Sequence, residues 1–171
     1  MPLVFQYGSN LNSVRLNGPK RLQGHAALVG VAETIENYDY AFDIWSGGEN
    51  NCAAADIIVG AGRRIWGVLY EIPMVYIARD PERKRKTLDA IEGEGGNYSR
   101  STIKLRYQNG DAVPAPVITY FGRDRRANIQ TSARYVENIL QGLAEHPQIP
   151  VEYVQYVRAR ALANNPKLEL P

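Results

Sequence analysis

Two stretches of this sequence combine residue types that can do chemistry. In the first, the short apolar run Val4–Tyr7 passes straight into Gly8-Ser9-Asn10. A chain leaving a sheet there carries successive unpaired N–H groups, and glycine lets another group approach closely. Such amides form a concave donor site for a carboxylate or a developing oxyanion. Ser9 and Asn10 add short donors. The same residues serve equally well as a tight turn that caps a helical turn from Leu11. The second stretch is LDAIEGEGGNYSR, residues 88–100. Its Glu92 falls at the C-terminal end of a predicted helix, where the helix dipole disfavours another anion, beside the apolar positions Leu88 and Ile91. Both effects raise a carboxyl pKa, which suits proton transfer near neutral pH. A solvent-exposed glutamate just before a Gly93 helix stop accounts for the same position. Asp89 is expected to point outward and pair with Arg85, and Glu94 lies in the glycine-rich exit.

Other chemistries have little material. His25 and His146 are the only histidines and Cys52 the only cysteine. Zinc clusters and histidine-dependent serine or cysteine nucleophiles are therefore poorly supplied, so no zinc-type metal site is expected. One cysteine forms no intrachain disulfide and fits a reducing compartment. A net charge of +2 does not demand a polyanionic partner. The basic run RDPERKRK, residues 79–86, has no interleaved aromatic residues and reads as a solvated helix face. Neither a signal peptide nor an apolar run of about 20 residues is present. The expectation is a cytoplasmic protein with no nucleic-acid or membrane partner.

Strand patterns occupy residues 3–7, 26–35, 38–46, 54–59 and 63–72, with Trp66, Val68 and Tyr70 on one face of the last. A helix follows with Asp80 as N-cap, Pro81 at its first position and Gly93 as its stop. Residues 97–107 and 112–122 read as strands joined through Asn109-Gly110, a hairpin signal. Pro114 and Pro116 place the start of the second at an edge or bulge. Helical spacing then puts Tyr135, Ile139 and Leu143 on one face, and Val151, Val154 and Val157 on another. The tail from residue 164 reads as loose. The sum is one α+β domain over residues 1–171, mostly antiparallel sheet or barrel with helices at its side.

Taken in order, Tyr7-Gly8-Ser9-Asn10, Trp66-Gly67-Val68, Leu88-Asp89, Glu92-Gly93 and Tyr98-x-Arg100 resemble the γ-glutamylcyclotransferase family, which includes the AIG2-like proteins. The C-terminal helices, with Ile149 to Tyr153 between them, are similar to the closing helices of its cyclotransferase branch. The resemblance implies a small β-barrel with flanking helices and a cofactor-independent lyase or acyltransferase. It places the acid/base role on Glu92 and makes Tyr7, Gly8, Ser9 and Asn10 a cradle for the glutamyl moiety. The implied reaction cleaves a γ-glutamyl amide to 5-oxoproline and a free amine. Tyr98 and Tyr120 are hydroxyl donors near the site or core residues; Arg100 binds an anion or pairs with an acidic neighbour. The implied partner is a small γ-glutamyl molecule, and the protein a monomer or homodimer. The rival is a catalytically silent AIG2-like module that binds a small acid.

Overall fold

The computed structural model describes residues 1–82, 85–114 and 116–171. Apolar, β-branched and aromatic runs form eight strands among these residues: β1 (Leu3–Gln6), β2 (Ala27–Thr34), β3 (Tyr38–Ser46), β4 (Cys52–Val59), β5 (Trp66–Glu71), β6 (Tyr98–Ile103), β7 (Leu105–Tyr107) and β8 (Val117–Gly122). Six form one sheet in the order β6-β8-β1-β5-β2-β7, while β3 and β4 pair as a separate ribbon. Only the β1–β8 pairing is parallel. The two edge strands, β6 and β7, are separated in sequence by Lys104 alone. One segment thus borders both margins, and the sheet curls round to meet it. The result is a mostly antiparallel α+β half-barrel, the fold class that the sequence predicts, with the barrel only half formed.

The strands lie close to their predicted limits, but their partners could not be read locally. β2 and β3 are linked by the Glu36-Asn37 turn without pairing; β2 lies between β5 and β7. β5 is buried on both faces, since Gly67 and Leu69 are covered as well as Val68 and Tyr70. The Asn109-Gly110 turn forms with Gly110 in the left-handed region, and Tyr107 N–H bonds Asp111 O across it at 2.8 Å. Beyond the turn, β8 begins after Pro116 and pairs with β6, whereas β7 turns away to β2. Proline cannot donate to a ladder, which delays the strand to Val117.

The helices are α1 (Ser13–Leu16), α2 (Met74–Ile77), α3 (Leu88–Glu92), α4 (Ala133–Ala144) and α5 (Val151–Asn164). Ser132 caps α4 by accepting from Tyr135 N–H at 3.2 Å, and Tyr135, Ile139 and Leu143 are buried as their spacing requires. Each aliphatic side chain so buried contributes about 1.5–3 kcal/mol. Gly142 lets α4 touch the residues after β1: a Cβ there would stand 2.5 Å from Asn12 N and 2.6 Å from Leu11 C. The buried stripe of α5 is Tyr153, Val157 and Ala161, not Val151, Val154 and Val157. Val151 lies in the first turn and is exposed, because the helix is oriented to bury the Tyr153 ring.

The helix before the site is shorter than expected. It does not start at Asp80 and Pro81; Thr87 is the N-cap, its hydroxyl accepting from Ala90 N–H at 3.4 Å. Asp80 Oδ1 instead accepts from Glu82 N–H, a local turn that competes with helix initiation. Arg83 and Lys84 of the basic run lie outside the described residues. Arg85 lies over the Tyr76 ring, 5.2 Å from its centroid.

Candidate active site

The site forms where β1 ends. After Gln6 and Tyr7 the chain leaves the sheet and Ser9–Leu11 make one 3-10 turn, closed by Leu11 N–H on Gly8 O at 2.9 Å. The N–H groups of Ser9 and Asn10 bond no acceptor among the described residues. Gly8 has a negative φ of −101°, so its backbone does not require glycine. A Cβ at this position would stand 3.5 Å from Tyr135 Oη and 3.6 Å from Ala55 Cβ, in the space the loop faces. Glycine here keeps that space open.

Facing the loop is Glu92, the last residue of α3. Gly93 follows in the left-handed conformation, with φ of 69°, which ends the helix there. Asp89 fixes the helix from its other side. Expected to face outward toward Arg85, it is instead buried and accepts from Tyr120 Oη at 2.7 Å and Arg100 Nη1 at 2.9 Å. Arg79 N–H adds a third contact at 3.3 Å. The i, i+4 argument sees only one helix surface, whereas β6 and β8 supply better partners from the sheet.

Glu92 Oε1 accepts from Asn10 Nδ2 at 2.8 Å, and Asn10 Oδ1 accepts from Arg21 Nη1 at 2.9 Å. Asn10 therefore bridges the carboxylate to a cation, which orients its amide. Burial pushes the Glu92 carboxyl above the usual range, while Asn10, Arg21, Gln6 and Arg15 pull it partly back. Glu92 retains some open surface, yet the protein packed round its carboxylate penalises the charge. Gln6 Nε2 lies beside this carboxylate but completes no hydrogen bond. A buried donor left so costs about 1–3 kcal/mol.

Glu92 stands between two connected spaces. The inner niche, about 30 Å³, is lined by Gln6, residues 7–10, Ala55, Thr119 and three tyrosines. The outer vestibule, about 230 Å³, shares Ser9, Asn10, Glu92, Tyr98 and Tyr135 with the niche and adds Arg21, Asn50 and Asn97. The niche opens toward the vestibule past the residues the two share.

Most of the sequence-predicted residues meet here: Tyr7, Gly8, Ser9, Asn10, Glu92, Tyr98 and Tyr120 all line the niche. Their hydroxyls are not equally available. Tyr7 Oη donates to Tyr120 O at 2.6 Å, Tyr98 Oη to Ala55 O at 2.6 Å, and Tyr120 Oη to Asp89. These three hold the walls together. Tyr135 differs, because its oxygen accepts from Ala55 N–H at 3.0 Å and its other neighbour is the Ser9 side chain of the loop itself. Burial pushes this phenol up to about 12, so it stays protonated at neutral pH. Arg100 stands outside, paired with Asp89. Sequence reasoning missed Gln6, Arg21 and Tyr135. Tyr135 was visible only as a helix-stripe residue and Arg21 carried no signal. A polar residue closing a buried strand was the available hint for Gln6.

His25 and His146 lie away from both spaces; His25 stacks on Tyr76 with centroids 3.8 Å apart. Among the described residues no group of three or more His, Cys, Asp and Glu is placed to hold a metal ion. No helix among them is long and apolar enough to cross a membrane.

A curled sheet with a loop after its first strand, faced by a helix-terminal glutamate, has clear likenesses among solved structures. The chain superposes on a gamma-glutamyl cyclotransferase with a TM-score of 0.74 at 23% identity, covering 92% of this chain and 86% of that one. The same values relate it to an uncharacterized protein from Homo sapiens. YkqA from Bacillus subtilis also gives 0.74, at 20% identity over 99% of this chain and 56% of its own. These structures establish a gamma-glutamyl cyclotransferase-like fold. Residues 64–157 match the AIG2-like family, and the chain belongs to that family. Among curated proteins no sequence matches it.

Proposed function

We propose that this AIG2-like protein is a γ-glutamylcyclotransferase-like enzyme with Glu92 as its acid/base. The observation that carries the reading is the Glu92 carboxyl itself. It stands at the boundary of niche and vestibule, held by one hydrogen bond from Asn10, with burial raising its pKa. A carboxyl tuned upward in this way is better fitted to take and return a proton than an ordinary glutamate.

In the proposed reaction the substrate's α-amine attacks its own γ-carbonyl carbon. A lactam C–N bond forms, the amide C–N bond breaks, and 5-oxoproline leaves with a free amine or amino acid. With an α-amino pKa of roughly 8, about a tenth of the amine is neutral at pH 7, so a base helps. Glu92 takes the proton from the attacking amine and returns it to the leaving nitrogen. Closing a ring within one bound molecule supplies much of the remaining acceleration. The free Ser9 and Asn10 amides, with the Tyr135 hydroxyl, are the donors for the substrate's carboxylate. Tyr7, Tyr98 and Tyr120 shape the pocket through hydrogen bonds already made. The vestibule takes the leaving group.

The test incubates the protein and a Glu92→Gln variant with γ-glutamyl amino acids, γ-glutamylamines and glutathione, reading 5-oxoproline by mass spectrometry. Product from the wild type and none from the variant is expected. A wild type silent on every substrate would replace this reading with that of a small-acid binding module.

A further inference from the structure

The niche holds one polar group that no protein atom satisfies. Gln6 is only 5% exposed, and its Nε2 is wholly buried without a hydrogen-bond partner. It is the last residue of β1, locked in register opposite Val68, so its carboxamide faces the niche from a rigid strand. Its nearest acceptor is the Glu92 carboxylate, beside which it lies without completing a bond. Thr119 Oγ1 donates to Phe5 O at 3.1 Å, Tyr120 Oη is committed to Asp89, and Glu92 Oε1 already accepts from Asn10. An apolar side chain of the same length would fill this place without leaving a donor stranded. Retaining glutamine makes sense where something from outside brings the acceptor.

We propose that Gln6 is a substrate-binding residue of this site, its Nε2 donating to the γ-carbonyl oxygen of a bound γ-glutamyl group. The inference rests on the reading of Glu92 as the acid/base. The amine that Glu92 deprotonates attacks the γ-carbonyl carbon, so the oxygen on that carbon lies next to the atoms Glu92 serves. Nε2 lies beside the Glu92 carboxylate and points at this region. As the new C–N bond forms, the carbonyl π pair moves onto oxygen, and the waiting N–H strengthens its hold on the oxyanion. The pair returns as the leaving nitrogen departs with the proton from Glu92. The same oxygen survives as the lactam oxygen of 5-oxoproline, so the product keeps the contact.

Gln6→Met keeps length and removes the donor. Three readouts apply: turnover of γ-glutamyl-alanine, calorimetric binding of 5-oxoproline, and thermal unfolding without ligand. The expected result is a fall in kcat of about 100-fold with KM little changed, and roughly tenfold weaker 5-oxoproline binding. The melting temperature should rise by about 2–4 °C, because a stranded donor is removed. A lower melting temperature would overturn the inference, since the carboxamide would then be a structural partner of Glu92. Undiminished kcat and undiminished product binding would overturn it too. If the wild type binds 5-oxoproline but turns nothing over, the enzymatic reading fails by itself, and the binding arm alone decides for or against Gln6.

Discussion

Asp89 and Glu92 occupy the same five-residue helix, three positions apart, and their surroundings are opposite. The side of α3 that meets β6 and β8 gives Asp89 a phenol, a guanidinium and a backbone N–H. The side that meets the 8–10 loop gives Glu92 a single amide hydrogen bond, and burial raises its pKa. A carboxylate held by several donors works as an anchor. One with a deficit holds its charge weakly and can trade protons. The anchored member also does something for the other: it fixes the helix that carries Glu92 against the sheet.

The largest effect that bears on this contrast comes from Glu92→Gln. Turnover should drop by about 10² to 10⁴. Stability should respond in the opposite direction. A folded-state pKa above the unfolded one means that the folded protein binds its proton more tightly, so stability falls as pH rises through that interval. Glu92→Gln should therefore raise the melting temperature at neutral pH and lose that gain in acid, as thermal unfolding across pH would register.

Next comes Asp89→Asn, which keeps the shape and removes the charge. It should cost about 2 kcal/mol in urea unfolding, since a charge-assisted hydrogen bond is worth about 1.5–3 kcal/mol. It should lower kcat without moving the acid limb of the pH–rate profile, because Glu92 loses position rather than its own partners. A stability loss confined to a few tenths of a kcal/mol would mean the anchor is dispensable.

Arg21→Met is a subtler intervention. Arg21 orients Asn10 and opposes the upward push on Glu92 more strongly than Arg15 does. The acid limb of kcat/KM should move to higher pH, and Arg21→Lys should bring it part of the way back. An unmoved limb would limit Arg21 to lining the vestibule.

The smallest effect lies at the far end of the ribbon. Asp43 is pushed up to about 6 by burial and by Asp56, with Arg125 opposing. Arg125 bonds Asp56 at 2.7 Å and reaches Asp43 only at 3.9 Å. Asp43 is thus the underserved member of a second pair. Its stability penalty builds as pH rises from about 4, the unfolded value, to about 6. Asp43→Asn should be slightly more stable than the wild type at pH 7 and equal to it near pH 4, read as melting temperatures.

What the sequence discloses follows the range of each interaction. The stop at Gly93 and the turn at Asn109-Gly110 depend on residues within a few positions, and both could be read. Glu92 and the 7–10 loop could be paired only through the resemblance, since the hydrogen bond joining them spans 82 positions. Shorter separations, 11 positions to Arg100 and 31 to Tyr120, still concealed the sheet partners of Asp89 and made its outward pairing with Arg85 look natural. Separation in sequence also concealed that the hydroxyls of Tyr98 and Tyr120 are already engaged.

The segment shared by β6 and β7 gives the sheet an unusual kind of security. Its ladder of hydrogen bonds is open, yet its margins are tied to each other by the covalent chain through Lys104. Neither border can peel away to recruit a foreign strand without dragging the opposite border with it. Edge-to-edge association, the standing hazard of open sheets, would here require the whole curl to yield at once.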